Sequence, residues 1–549
     1  LILSISKLEM SWTITYRSLW LILLWSLSVR SNPTNDSKDV TILHFNDIYN
    51  VEPSASEPVG GAARFCSLIK SYSYLQPIVL FSGDVFSPSP LSYFTKGAQM
   101  STVLNECGVH AAVFGNHDFD YGLNVLKQRV EETQFPWILS NVMTDNNLTL
   151  AQSQRTLVVQ RNKKRIGLIG LTEQKWLDVQ ITIDPVRVHY QDFILICNDL
   201  TEYLRNQGCD YVIALTHLRM KNDIKLAEGC PGVDLILGGH DHEYQVIQVN
   251  GTYIVKSGSD FKSLSKIHLQ FRTNVIEPKI QEINVTSNIQ EDNILKNLLR
   301  KYSDVLEREG DKQLLVLSEA MDARVNELWR AESSLGNWLS DVVLSVTAAD
   351  IVLLNSGMFK ANREFPAGSF TRQHFAALLP ITSAMVMLNI TGQTVLEMLE
   401  NAVSRYPEPD GRFGNVAGVQ FSFNPEARVG QKVIPHQVIV GAGKLKLDRY
   451  YKLATRVYLH KGYDGYTMLQ GTPELEVETG VCLTLEMIIE TYLETLQKIS
   501  KNWLEFFHLI TPSNQRHLCL FPESGPIMLC PKTDKRINPC FKECTNINQ

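Results

Sequence analysis

Val113-Phe114-Gly115-Asn116-His117-Asp118-Phe119-Asp120-Tyr121-Gly122 leaves a short apolar segment and ends in a turn, so its polar residues sit on a loop at a strand end. A loop placed there can present an amide oxygen, an imidazole and carboxylates to one point in space. Taken alone, a Gly-Asn-His tripeptide reads as an ordinary polar turn. Its meaning depends on whether other strands deliver matching groups to the same edge.

Working outward, the same pattern recurs. Residues 40–43 lead into His44-Phe45-Asn46-Asp47, and 77–81 lead into Ser82-Gly83-Asp84. Residues 211–215 lead into Thr216-His217, and 233–237 into Gly238-Gly239-His240-Asp241-His242. Runs of this length with β-branched residues are expected to be buried strands. Helical patterns lie between them, as at 61–72 and 122–133. The alternation predicts a layered α/β domain. In such domains ligands gather at the carboxyl ends of strands, where all five polar clusters fall.

A chain of 549 residues exceeds one ordinary domain, so two are expected, each with its own core. The balance of 52 Lys+Arg against 58 Asp+Glu is mildly acidic and argues against a nucleic-acid or anionic-membrane surface. Met10 is the first plausible start; Arg17, the apolar run 19–29 and the polar stretch 30–38 predict a secretory signal peptide over 10–31. No later stretch reaches about 18 uninterrupted apolar residues, and 543–549 is polar, so neither a transmembrane nor a lipid anchor is expected. Sequons at Asn35, Asn147, Asn250, Asn284 and Asn389 fit export but are near chance frequency. Of the ten cysteines, Cys519, Cys530, Cys540 and Cys544 cluster in the tail 506–549, which reads as a disulfide-stapled appendage. A tail zinc site is the weaker alternative, because no C-x-x-C pair is present.

The first domain is expected over 38–290. A charged, helical pattern with apolar Ile294, Leu295, Leu298, Leu299, Tyr302 and Leu306 predicts a linking helix over 291–312. A second, smaller α/β domain is expected over 313–505, with strands at 351–354, 385–390, 438–440 and 451–457 and helices at 335–346 and 395–404.

Asp47, Asp84, Asn116, His117, His217, His240 and His242 are carboxylates, an amide and imidazoles at strand ends. Such donors suit zinc, manganese or iron. One histidine alone is more often a satisfied structural residue, whereas five polar strand ends of this chemistry are hard to explain structurally.

The order Asn46-Asp47, Gly83-Asp84, Gly115-Asn116-His117-Asp118, Thr216-His217, Gly238-Gly239-His240-Asp241-His242 resembles that of calcineurin-like dimetal phosphoesterases, and His44-Phe45-Asn46-Asp47 with Gly115-Asn116-His117-Asp118-Phe119-Asp120 resembles the 5'-nucleotidase family. The resemblance implies an N-terminal layered α/β/β/α metallophosphoesterase domain binding two divalent cations. It implies that Asp84 bridges them, that Asp47 and His242 hold one and that Asn116, His217 and His240 hold the other. His117 is then the catalytic imidazole, oriented by Asp120. Where the family has a histidine two residues after the first aspartate, this chain has Tyr49; either the phenol ligates, favouring iron, or water fills the position. Asp118 reads as local turn chemistry.

The resemblance extends through the second domain. Ala331-Glu332-Ser333-Ser334-Leu335-Gly336-Asn337, Leu354-Asn355-Ser356-Gly357-Met358-Phe359-Lys360, Gly411-Arg412-Phe413 and Tyr458-Leu459-His460-Lys461-Gly462-Tyr463-Asp464-Gly465 carry it. It implies that Phe413 and Tyr458 sandwich a base, a contact worth about 1–3 kcal/mol, and that Asp464 accepts from ribose hydroxyls. Arg330, Asn355, Lys360 and Arg405 are the expected grips for phosphate or carboxylate. Lys360 stands where the family has arginine and gives a point charge without the bidentate fork.

The expected function is therefore a secreted, extracellular dimetal phosphohydrolase acting on a small-molecule phosphoester, foremost a 5'-nucleotidase releasing nucleoside and phosphate. The alternatives are a phosphatase for another organic phosphate, such as a sugar-glycerate phosphate or a nucleotide-sugar, and an inactive nucleotide-binding homologue.

Overall fold

The computed structural model describes residues 39–146, 148–174, 188–271, 276–381, 384–475, 484–498, 528–529 and 533–539. The expected signal peptide, Asn35, Asn147, Cys482 and all four tail cysteines lie outside these residues.

Two six-stranded sheets face each other in the first domain. One places Val40–Phe45, Ile78–Phe81, Ala111–Val113 and Trp137–Ile138 side by side in parallel, with Ser263–Leu269 and Lys279–Asn284 antiparallel at the other edge. The other runs Tyr244–Val249, Thr252–Ser257, Leu235–Gly238, Tyr211–His217, Lys164–Thr172, Thr156–Arg161, parallel in its middle four. Strands buried on both faces read as continuous apolar runs, because neither face meets water. Ile42, Leu80 and Val113 of one sheet pack on Ile213, Leu215 and Leu237 of the other. The opposite faces are covered by helices, including Ala62–Ser71 and Leu123–Glu132 on one side and Phe193–Asn206 and Met220–Gly229 on the other. This is the expected α/β/β/α layering.

The helix Asn293–Gly310 starts on Asp292, whose carboxylate accepts from the amides of Ile294 and Leu295. Leu295 and Leu299 are buried in the first domain's core, so this helix is part of the outer layer and not a free spacer.

The second domain is built on a four-stranded sheet ordered Met385–Thr391, Tyr450–Arg456, Ile351–Asn355, Gly414–Ala417. The helix Ser334–Thr347 covers one face and Gly392–Ala402 the other. Near 438–440 the strand is only Ile439–Val440. The tail needs a correction, since its described parts are not an appendage. Met528–Leu529 pairs with Gln313–Leu317, Ile537–Pro539 pairs with Val419–Phe423, and the Arg536 guanidinium makes a buried fork with Asp341 at 2.6 and 2.9 Å. Burying that charge is tolerable only because both donors are paired.

Candidate active site

All five polar loops meet at one edge of the paired sheets. Asp47 follows the strand Val40–Phe45, Asp84 follows Ile78–Phe81 and Asn116-His117 follow Ala111–Val113; His217 ends Tyr211–His217, and His240 and His242 follow Leu235–Gly238. Asp47, Asp84 and His240 sit at positive φ of 51°, 65° and 76°, where a side chain costs about 1–3 kcal/mol each. The loops are locked by close approach: a side chain at Gly115 would run into the Asp84 carboxylate, and one at Gly239 into the Ser82 carbonyl. Asp118 fixes the second loop, accepting from the amides of Val85 at 2.8 Å, Gly115 at 2.8 Å, Asp84 at 3.1 Å and Phe86 at 3.2 Å. The turn role expected of Asp118 is thus a four-armed backbone clamp.

Asp47, Asp84 and His217 bring donor atoms within 4.8 Å of one another, all buried. His217 Nδ1 lies 2.8 Å from the Ser82 carbonyl, which fixes its proton there. Its Nε2 is left buried without a hydrogen bond, 3.3 Å from Asp84 Oδ2. A buried imidazole lone pair between two carboxylates fits a divalent cation. His242 Nε2 stands 3.4 Å from Asp47 Oδ1, and His240 Nδ1 3.0 Å from Asn116 Oδ1. The Tyr49 hydroxyl lies 3.0 Å from Asp47, 3.1 Å from His242 and 3.3 Å from Asp84. Burial and then the carboxylates of Asp47 and Asp84 hold it well above its usual pKa, as a neutral phenol. His44 is structural: both ring nitrogens are taken by Ser82 and Ser257, and burial, then Lys256, push it down to about 3.

His117 projects from a short turn beside the cluster, Nδ1 2.9 Å from Asp120 Oδ2. Burial opposes its charge, but Asp120 and then Asp84 outweigh it and hold the imidazole up at about 9. An imidazolium with its second nitrogen free of Asp120 can donate a proton to a leaving oxygen or stabilise charge on phosphorus.

His117 also lines an interdomain cleft of about 540 Å³ with Asn355, Lys360, Arg456, Tyr458 and Asp464. The structure therefore brings four of the expected substrate residues together: Asn355, Lys360, Tyr458 and Asp464. Three do not join them. Arg330 pairs with Glu327 at 3.0 Å and is exposed. Arg405 is exposed, 3.8 Å from Asp410. Phe413 is corrected from base-binding to core: it is 3% exposed among Leu399, Leu459 and Tyr466. Tyr458 instead stacks on Tyr463, centroids 4.9 Å apart at 24°. The base-binding role that the resemblance implied left out that Phe413 immediately precedes the strand Gly414–Ala417 and is drawn into that sheet's core.

Two residues escaped sequence reasoning. Arg456 ends a strand facing the cleft, a position that the strand-end rule could have flagged. Lys256 is fully buried, donating to the carbonyls of Leu218 and Gly239 at 2.6 Å each and pairing with Asp223 at 2.8 Å and Asp241 at 2.9 Å. Nothing in its apolar strand signalled that it ties together the loops carrying His217 and His240.

Carboxylates, an amide and imidazoles converging on the carboxyl edge of a layered β sandwich define a metallophosphoesterase. The profile of calcineurin-like phosphoesterase matches residues 40–244, and that of the 5'-nucleotidase C-terminal domain matches 313–471. The chain belongs to the 5'-nucleotidase family and is a metal-dependent phosphoester hydrolase. "Protein 5NUC" of Lutzomyia longipalpis is 24% identical over 87% of this chain and 97% of that protein. The 5'-nucleotidase of Homo sapiens is 23% identical over 82% of this chain and 87% of that protein. The crystal structure of a 5'-nucleotidase precursor from Thermus thermophilus has a TM-score of 0.67 at 22% identity, covering 91% of this chain and 99% of that one. A 5'-nucleotidase structure from Candida albicans gives 0.56 at 12% identity over 83% and 97%.

Proposed function

We propose that this protein is an exported 5'-nucleotidase, hydrolysing nucleoside 5'-monophosphates with two divalent cations. The observation that carries this is the cleft itself: Asn116 and the His117–Asp120 pair share one cavity with Asn355, Tyr458 and Asp464, and the His117 amide donates at 2.7 Å to Asp84 of the buried Asp47, Asp84, His217 cluster. Asp47, Asp84 and His242 would hold one cation beside Tyr49, and Asp84, Asn116, His217 and His240 the other. Bound cations supply charge neutralisation at the phosphate and activation of a water. His117 places a proton at the leaving oxygen, and Asp120 keeps that imidazole charged and oriented. Tyr458 offers an aromatic face and Asn355 and Asp464 polar contacts to the leaving nucleoside. Export rests on the apolar run 19–29 behind Arg17, and N-terminal sequencing of exported protein tests it: a mature chain retaining residues 10–31 overturns it. Among the described residues no helix is long and apolar enough to cross a membrane.

The deciding experiment is a substrate panel with metal reconstitution. AMP is expected to release phosphate in added Mn²⁺, Co²⁺ or Zn²⁺ and to be inert in EDTA. Failure to hydrolyse any phosphomonoester with every metal overturns the reading.

A further inference from the structure

Cys197 and Cys230 are both free thiols in this structure, and their sulfur atoms lie 2.9 Å apart. That is closer than the about 3.5–4.0 Å at which unbonded carbon atoms make their best contact, and sulfur is the larger atom. A disulfide bond is about 2.05 Å long, so roughly 0.9 Å is left to close. Cys197 lies on the buried side of the helix Phe193–Asn206 with Ile196, Leu200 and Leu204, and Cys230 directly follows the helix Met220–Gly229. The side-chain amide of Asn198, next to Cys197, donates at 2.8 Å to the carbonyl of Gly229, next to Cys230, so the approach is already fixed on both sides. A Cβ at Gly229 would come 2.7 Å from an Ile194 methyl, and glycine there lets the two helices come this close.

A buried cysteine by itself reads as a small apolar filler, and both sulfurs do lie in one apolar cluster. Two features separate this pair from fillers. Thr201 Oγ1 stands 3.9 Å from the Cys197 sulfur and 3.8 Å from the Cys230 sulfur, so the pair shares one polar partner in apolar surroundings. The hydrogen bond with Cys197, joined by Thr201 and the amides of Val233 and Gly232, holds the Cys230 thiol below its usual pKa despite burial. Cys230 is therefore the thiolate of the pair, the form that attacks a disulfide. The junction also bears on the site. The helix Met220–Gly229 carries Asp223, which pairs with Lys256 at 2.8 Å and accepts from Thr216 at 2.7 Å, and the Met220 amide donates to Asp241 at 2.7 Å.

We propose that Cys197 and Cys230 form a disulfide in the folded protein, pinning the far end of the helix that braces the His217 and His240 loops. The Cys230 thiolate attacks one sulfur of an oxidant's disulfide, that of glutathione or of a thiol–disulfide oxidoreductase, and releases the oxidant's first thiol. The Cys197 thiolate then attacks the Cys230 sulfur of this mixed disulfide and releases the second. The two cysteines give up two protons and two electrons, and the oxidant's disulfide takes them up as two thiols. Both sulfurs are out of water, so the exchange takes place before the helices close, and the finished bond is shielded from reductants. The test is made on the whole chain refolded in mixed reduced and oxidised glutathione, then unfolded with iodoacetamide and no reductant, digested and mapped by mass spectrometry. A peptide pair joining Cys197 to Cys230 is expected; alkylation of both, or linkage of either to another cysteine, overturns the proposal. In the same oxidised state wild type is expected to melt about 5–15 °C above Cys230→Ala, and Cys197→Ala should behave the same way. Refolding in dithiothreitol should close most of that gap. A gap that dithiothreitol leaves unchanged is packing alone and overturns the pinning role. Neither readout uses turnover or an exported sample, so failure here leaves the hydrolase and export readings standing.

Discussion

At the scale of single residues, His117 and Asp120 carry the most chemistry on the least structure. The imidazole is set by one short turn, one carboxylate partner at 2.9 Å and the nearby charge of Asp84. General acid catalysis contributes about 10²–10⁴-fold. His117→Ala is therefore expected to lower kcat by that factor with KM for AMP nearly unchanged. Elemental analysis should find the bound metal content of wild type, because the His117 side chain is not needed to hold a cation in this arrangement. A variant that loses its metal along with its activity would make His117 a ligand and sink the assignment. Phe413 shows the opposite lesson at the same scale. Its neighbours are polar and glycine-containing, yet the ring is core, because one residue before a buried strand is already inside the hydrophobic layer.

At the scale of elements, the site depends on loops held in unfavourable backbone conformations by partners beneath them. Lys256, on the strand Thr252–Ser257, is the chief of these partners on the second sheet. Its ammonium satisfies Asp223, Asp241 and two loop carbonyls at once, with its side chain entirely out of water. Removing one member of a buried ion pair costs about 3–5 kcal/mol, because the remaining charge is left unpaired. Lys256→Met is expected to lower the first domain's unfolding free energy by that amount in urea titrations and to weaken metal binding. A loss under about 1 kcal/mol, typical of an exposed pair, would show that the strap does not hold the loops.

At the scale of the whole molecule, the proposed site lies between domains. The first contributes Asn116, His117 and Asp120 to the cleft, the second Asn355, Lys360, Arg456, Tyr458 and Asp464. A further contact joins the two away from the cleft: Glu490 accepts from the Tyr93 hydroxyl at 3.0 Å and from Arg372 at 3.2 Å, and Arg372 also lies over Phe94 at 5.6 Å. Cation ligands confined to the first domain should make metal stabilise that domain selectively. At about 100-fold excess over Kd a ligand adds about 2.7 kcal/mol, and in a domain of this size each kcal/mol moves Tm by about 2–4 °C. Calorimetry with metal against EDTA is expected to raise one transition by about 5–10 °C and leave the other in place. Equal shifts of both transitions would contradict that division of labour.

What the sequence determined by itself was the layering and the convergence of the candidate metal cluster Asp47, Asp84 and His217. Apolar runs ending in Asp47, Asp84, Asn116, His217 and His240 are local patterns, and parallel strands always bring their carboxyl ends to one edge. The helices between them were legible for the same reason, since a 3.6-residue period is a short-range signal. Only tertiary structure decided the substrate side. Phe413 went to the core, Arg330 and Arg405 to solvent, and Arg456, Lys256 and the tail's Arg536 into roles no spacing announced. Those outcomes depend on which long-range neighbour meets each side chain, and burial and charge pairing across hundreds of residues leave no periodic trace in the sequence around them.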